Sequence, residues 1–307
     1  RAMDTDLTLR AATPDDAPRL LRVIREAFAA RRPVDPPADA LSDTEADVAR
    51  SLTEGAGVVA ELEGEMVGGL LVDLDDGVAT LRRVSVLPSY SGHGVARAIV
   101  EGALSLAADL GAGRVRLVAR REFPELIAFW RHHGFEVVGE APNGVWLARD
   151  LPVIVDVPTA DDMRALGRAL AGVLRRGDVV VATGDLGAGK TTLTQGIGEG
   201  LGVDGAIISP TFVISRVHPS RGDGPALVHV DAYRLGDAAE LADIDLDASL
   251  ADAVTLVEWG AGLVEWLSED RLEIDIARGL DDDGRTVYLT GIGPRWAGAL
   301  DPLRERP

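Results

Sequence analysis

Gly184-Asp185-Leu186-Gly187-Ala188-Gly189-Lys190-Thr191-Thr192 follows the apolar run Val179-Val180-Val181-Ala182 and precedes Leu193-Thr194-Gln195-Gly196-Ile197. Buried strand, glycine turn, helix: that order fits the phosphate-loop pattern G-x-x-x-x-G-K-[ST]. Glycine has no Cβ, so consecutive backbone N–H groups can converge on an anion, and the following helix adds the positive end of its dipole. Lys190 is expected to reach the β- and γ-phosphates, and the Thr191 hydroxyl to ligate Mg²⁺. Of the 31 Lys and Arg residues, all but Lys190 are arginine. A chain that uses arginine everywhere else keeps its one compact ammonium where a point charge on phosphate is wanted. The stretch reads as a nucleoside triphosphate site.

Outward from that loop, the bulk composition sets bounds. A chain of 307 residues is long enough for two domains with separate cores. Its 26% charged and 46% hydrophobic residues match a soluble globular protein. No apolar run approaches a bilayer span, no signal-peptide pattern opens the sequence, and cytoplasm is the expected location. Arg1-Ala2-Met3 reads as a cloning scar ahead of the natural start. With no cysteine, disulfides and thiolate metal sites are excluded, and His93, His132, His133, His218 and His229 show no metal-ligand spacing. The net charge of −19 divides into 17 basic against 24 acidic residues up to Asp150 and 14 against 26 after it. Both halves are acidic, which argues against strong unaided binding to nucleic acid.

In the first half, Leu7–Ala12 alternates as a strand, and Thr13-Pro14-Asp15-Asp16 starts a helix with Leu20, Leu21, Ile24 and Phe28 on one face. A second helix is predicted near Ser42–Glu54, and a hairpin joins Val58–Ala60 to Met66–Val72. A strand over Thr80–Val86 and a helix from Gly92 through Ala107 follow. A strand at Arg114–Val118, a helix at Pro124–His132 and strands at Phe135–Val138 and Val145–Ala148 complete the half. Val84-Ser85-Val86-Leu87-Pro88-Ser89-Tyr90-Ser91-Gly92-His93-Gly94-Val95-Ala96-Arg97-Ala98 and Ala128-Phe129-Trp130-Arg131-His132-His133-Gly134-Phe135 are its distinctive text. A strand edge beside the amides of a helix N-terminus suits a pyrophosphate.

Element order and these two segments resemble the GNAT acetyltransferases over nearly all of residues 5–149. The resemblance implies a mixed α+β sheet domain over residues 4–150 that binds acetyl-CoA. Ser91, Gly92, His93, Gly94, Val95 and Ala96 would supply phosphate-binding amides, and strand atoms near Val84 and Val86 would pair with the pantetheine arm. Two positions depart from the family pattern, which wants Arg or Gln where Ser91 stands and usually tyrosine where Trp130 stands. An indole cannot protonate a departing thiolate as a phenol can. The half is thus either an acetyltransferase or a degenerate fold kept for docking. His93, His132 and His133 read as loop or surface residues.

Arg149-Asp150-Leu151-Pro152 marks the boundary to residues 151–307. A strand at Val153–Val157 and a helix carrying Met163, Leu166, Leu170 and Leu174 lead to the phosphate loop. The run Gly196-Ile197-Gly198-Glu199-Gly200-Leu201-Gly202 follows a helix instead of a strand, so it reads as a helix stop with close packing, not a dinucleotide motif. Strands at Leu227–Val230 and Thr255–Val257 end at Asp231 and Glu258, where an open α/β sheet places its ligand groups. Either acid could serve the Mg²⁺ shell or the attacking water. A helix at Leu263–Leu267, a strand at Leu272–Ala277, an acidic turn at Asp281–Gly284 and a strand at Val287–Thr290 follow, and the tail Ile292–Pro307 is expected to be loosely held at its end.

Ser209-Pro210-Thr211-Phe212, His229-Val230-Asp231-Ala232-Tyr233-Arg234-Leu235 and Glu258-Trp259-Gly260, in that order after the phosphate loop, resemble the TsaE family over residues 155–292. The resemblance implies a P-loop NTPase-like α/β domain, the ATPase of bacterial tRNA threonylcarbamoyladenosine synthesis, working with a TsaD–TsaB complex and touching tRNA only through it. Gly184 to Thr192 would cradle ATP, with Lys190 and Thr191 on phosphate and Mg²⁺. Thr211 would sense the γ-phosphate, Asp231 and Glu258 would be the metal-associated or water-positioning acids, and Trp259 would pack near the nucleotide. Tyr233 and Arg234 are as readily structural. Two rivals remain: a small-molecule kinase, with Arg216 and Arg221 as lid candidates, and an acyltransferase that the ATPase regulates.

Overall fold

The computed structural model describes residues 7–208, 215–233, 250–259, 268–279 and 284–304. Its contacts divide the chain into two compact units, Arg1–Leu151 and Pro152–Pro307.

The first unit runs β1 (Leu7–Ala11), α1 (Ala17–Ala29), α2 (Glu45–Glu54), β2 (Ala56–Leu62), β3 (Glu65–Asp75), β4 (Val78–Val86), α3 (Val95–Asp109), β5 (Arg114–Arg120), α4 (Pro124–His132), β6 (Glu136–Ala141) and β7 (Gly144–Asp150). These strands form one sheet in the order β1-β2-β3-β4-β5-β7-β6. Alternation along β2 explains the layering: Val58 and Ala60 face the core under α3, while Val59 faces the core under α1 and α2. The predicted start at Thr13 is present: the Asp16 carboxylate accepts from the Thr13 backbone N–H at 2.8 Å, and a short 3₁₀ turn over Pro14–Asp16 leads into α1. Both Asp16 oxygens also accept from Arg10, each at 2.7 Å. Chiefly through those bonds, the buried Asp16 carboxyl is held down to about 2.

β4 and β5 are the one parallel pair of this sheet, and their ladder stops early. Val78, Ala79 and Thr80 pair with Arg114, Val115 and Arg116, and no pairing continues beyond them. β5 stays paired to β7 along its whole length, so β4 and β5 splay into a wedge open at Val84 and Val86.

The second unit runs β8 (Val153–Val157), α5 (Ala160–Ala171), β9 (Val179–Gly184), α6 (Lys190–Leu201), β10 (Ser215–His218), β11 (Ala226–Asp231), β12 (Ala253–Glu258), β13 (Arg271–Arg278) and β14 (Arg285–Ile292). The sheet order is β10-β11-β12-β9-β13-β14-β8. β11, β12, β9 and β13 are parallel neighbours, and antiparallel strands flank them. The parallel centre is apolar on both faces, with Val180 and Ala182 in one core and Val181 in the other.

α6 continues through the glycine-rich run and stops at Gly202, in a left-handed conformation. A Cβ on Gly196 would lie 2.2 Å from the Arg164 carbonyl oxygen of α5. The glycines thus let two helix backbones touch, and no dinucleotide motif exists there. The tail is firmer than its composition suggests. Trp296, Leu300 and Leu303 are buried in the core, and Arg295 clamps the buried Asp178 at 2.9 and 2.7 Å. β10 was not legible as a strand. The expected helix at Leu263–Leu267 and most of the acidic turn lie outside the described residues, as do Glu305–Pro307. No helix among the described residues is long and apolar enough to cross a membrane.

Candidate functional site

In the second unit the parallel strands deliver their C-terminal ends to one edge. Asp231 of β11 is the register partner of Glu258 of β12, and Glu258 is the partner of Ala182 of β9, two residues before the loop. The loop turns on three glycines with positive φ: Gly184 at 158°, Gly187 at 76° and Gly189 at 110°. At Gly184 a side chain would meet the Ile276 carbonyl oxygen at 2.8 Å. Gly189 caps α6, so the first-turn amides of that helix point into the loop without intrahelical partners. Arg278 donates to the Leu186 carbonyl and Arg285 to that of Ala188, holding the loop from β13 and β14.

Lys190 opens α6 and is only 6% exposed. Its Nζ donates to the carbonyls of Gly184 at 2.6 Å and Asp185 at 3.0 Å, and lies 3.9 Å from the Trp259 ring centroid. Burial pulls the Lys190 ammonium below the ordinary lysine value, while Glu258, Asp185 and Asp231 pull the other way. Trp259 holds its place over Lys190 with a φ of 62°, unusual for a side-chain-bearing residue. The exposed Tyr233 ring packs on it at 5.3 Å.

The two acids differ in setting. Asp231 is half-buried and caps its own turn, accepting from the Tyr233 backbone N–H at 3.0 Å. Glu258 is buried, and its Oε1 lies 2.8 Å from Nε2 of the buried His229. Sequence reading passed over His229. The available signal was its place two residues before Asp231 on the same strand face, but its partner is 29 residues away and comes beside it only through parallel pairing.

The donor set fits Mg²⁺. Thr191, Asp231 and Glu258 offer hard oxygens only, and among the described residues each acid keeps one oxygen beyond its protein contact. No group of three or more His, Cys, Asp or Glu able to hold a metal alone exists among the described residues. A two-carboxylate site leaves positions for phosphate oxygens and water, which Mg²⁺ prefers. On the other flank of the loop, a cleft of about 450 Å³ is lined by Val157, Thr159, Met163, Gly189, Thr192 and Arg285. Thr211 and Arg234 lie outside the described residues.

In the first unit, Val84 and Val86 stand on the stretch of β4 that pairs with β3 but not with β5, along the wedge. Ser91, Gly92, His93, Gly94, Val95 and Ala96 form the turn into α3, with positive φ at Gly92 and Gly94 and no acid in the first helical turn. Added Cβ atoms at Gly92 and Gly94 would meet nothing within 4 Å, so the turn is open above these residues. Trp130 points elsewhere. It is 4% exposed and packs edge-on against Phe135 at 5.1 Å within the core. The Tyr90 hydroxyl bonds Glu65 at 3.2 Å, and Glu65 pushes the phenol up from its ordinary value. His93 and His132 are exposed, and His133 bonds the Phe129 carbonyl, as expected of loop and surface residues.

Family models match both parts of the chain. The family model for threonylcarbamoyl adenosine biosynthesis protein TsaE matches residues 157–287, and that of the acetyltransferase (GNAT) family matches residues 19–135. The tRNA threonylcarbamoyladenosine biosynthesis protein TsaE of Streptomyces coelicolor is 63% identical over 141 residues, 45% of this chain and 95% of that protein. The protein of the same name from Bacillus subtilis is 40% identical, covering 44% of this chain and 84% of its own. The crystal structure of a PaiA N-acetyltransferase from Thermoplasma acidophilum in complex with coenzyme A is 15% identical, with a TM-score of 0.43, covering 47% of this chain and 99% of that one.

Proposed function

This chain belongs to the TsaE family of tRNA threonylcarbamoyladenosine biosynthesis proteins and carries a GNAT domain besides, and from that premise we propose that it is a Mg²⁺-dependent ATPase of this tRNA modification. One observation carries the reading: the only lysine and two acids meet at the C-terminal edge of one parallel sheet, around a glycine loop that opens a helix.

Residues Gly184 to Thr192 cradle the phosphates through backbone amides. On binding, the Lys190 ammonium exchanges its contacts with the Gly184 and Asp185 carbonyls for phosphate oxygens. Thr191, with Asp231, Glu258 or both, would hold Mg²⁺, which when bound would neutralise charge on the phosphate oxygens. The cleft beside Thr192 takes the nucleoside, and Trp259 covers the phosphate end. Thr211 senses the γ-phosphate. In the chemical step a water oxygen bonds to the γ-phosphorus while the bond from that phosphorus to the β–γ bridging oxygen breaks. Whichever of Asp231 and Glu258 keeps its free oxygen off the metal orients the water and accepts its proton.

The cycle of binding and hydrolysis drives or resets a TsaB–TsaD complex, and the protein meets tRNA through it, in the cytoplasm. A net charge of −19 fits indirect contact with tRNA better than direct. Of the two lid candidates of the kinase reading, Arg216 and Arg221, the second is exposed and paired with Asp204 at 2.8 Å. The first unit binds acetyl-CoA, its pantetheine in the β4–β5 wedge and its pyrophosphate on the Ser91–Ala96 turn. The deciding experiment is steady-state ATP hydrolysis with and without Lys190→Ala. A loss of 100-fold or more is the expected result, on the order found when a charge-stabilising group is removed. Unaltered hydrolysis would mean that the assigned cradle is wrong.

A further inference from the structure

One buried polar group beside the phosphate loop has no part in that scheme. On β11, Leu227, His229 and Asp231 share a face, and on β12 so do Val254, Leu256 and Glu258. His229 is fully buried on that face, and its Nδ1 has no hydrogen-bond partner among the described residues. Its Nε2 lies 2.8 Å from Glu258 Oε1. An apolar side chain of similar volume would fill this place without the cost of burying an imidazole and a carboxylate together, so packing alone does not explain the pair.

An ionised carboxylate only accepts, so Nε2 is the donor of this hydrogen bond. Resting on the reading of Glu258 given above, we propose that His229 is a positioning residue for the nucleotide site. Its Nε2–H fixes the Glu258 rotamer through Oε1 and leaves the other oxygen for the metal or the attacking water. The arrangement follows a general pattern in which metal-binding carboxylates are themselves held by hydrogen bonds.

The test uses the full chain and three variants: His229→Gln, His229→Asn and His229→Leu. Glutamine places an amide nitrogen near the position of Nε2, whereas asparagine places it near Nδ1, out of reach of Glu258. Three quantities are measured: ADP affinity in EDTA, Mn²⁺ affinity of the ADP complex by electron paramagnetic resonance, and kcat for ATP hydrolysis. The Asn and Leu variants are expected to bind ADP within about twofold of wild type, yet to lose about tenfold or more in Mn²⁺ affinity and in kcat. His229→Gln should recover most of both. A polar filler role would be served by Asn as well as by Gln, so equal behaviour of those two overturns the proposal. Unchanged Mn²⁺ affinity and kcat in Asn and Leu overturn it as well. Should His229→Leu fail to fold, the Asn and Gln pair decides alone. If wild type binds neither ADP nor Mn²⁺, the nucleotide reading falls and this one with it; normal wild-type binding with indistinguishable variants sinks this one only.

Discussion

The two units solve the binding of a phosphorylated ligand from the same material and stop at different points. Both offer glycine turns with positive φ that open a helix whose first amides are free. The second unit adds side chains around its turn: Lys190 within it, and Asp231 and Glu258 at the neighbouring strand ends. The first unit adds a splayed pair of strands, with only the exposed His93 as an ionisable side chain in its turn; at Trp130, where the resemblance leads one to look for a phenol, an indole is packed into the core. Backbone geometry can therefore outlast a change of side chains, since amides belong to every residue. Chemistry cannot, because it resides in particular functional groups.

That contrast can be broken where it is sharpest. Glu258→Gln should lower ATP hydrolysis by about 100-fold while nucleotide affinity stays within about threefold, because the acid acts on the reacting atoms more than on the ground state. Equal losses in both would make Glu258 a binding group only. The first unit should respond in the opposite manner. Gly94→Val forces a branched side chain to a φ of 79° and should weaken acetyl-CoA binding about tenfold by calorimetry, a penalty on the order of 1.4 kcal/mol. Ser91→Ala, which leaves the backbone alone, should change it less than twofold. A larger effect of Ser91→Ala than of Gly94→Val would show that a side chain does bind there.

The smallest effect concerns charges that serve the fold. Arg10 holds the Asp16 carboxyl down to about 2, below the ordinary aspartate value of 3.8. A depressed carboxyl contributes stability that is present above its unfolded value and lost as the pH falls through the folded one. With Arg10 partly exposed, that contribution is on the order of 1 kcal/mol. Urea unfolding should therefore separate wild type from Asp16→Asn at pH 6, with the gap closing between about pH 4 and pH 2. A gap independent of pH would show that the ionised carboxyl is not what stabilises the fold there.

What was legible followed from local rules. The phosphate loop announced its strand and helix, Thr13-Pro14-Asp15-Asp16 announced its own, and Asp231 and Glu258 fell at strand ends as read. What was not legible depended on residues far apart in the chain. His229 and Glu258 become neighbours only through a parallel ladder, and Arg295 reaches Asp178 across 117 residues to pin a tail rich in proline and glycine. The Ser215–His218 strand is short, and it gains its identity from pairing with β11. The wedge between β4 and β5 is a failure of pairing, for which no residue pattern exists.

The lone lysine has one more consequence. A chain that carries an acetyltransferase-type fold offers itself a single lysine ε-amine, at Lys190, and that amine is 6% exposed beneath an indole. Lysine self-acetylation therefore has one address in this sequence, a shielded one, and a stray modification there would remove the charge on which the phosphates depend. An arginine-only surface leaves such a domain nothing of its own to modify by that chemistry.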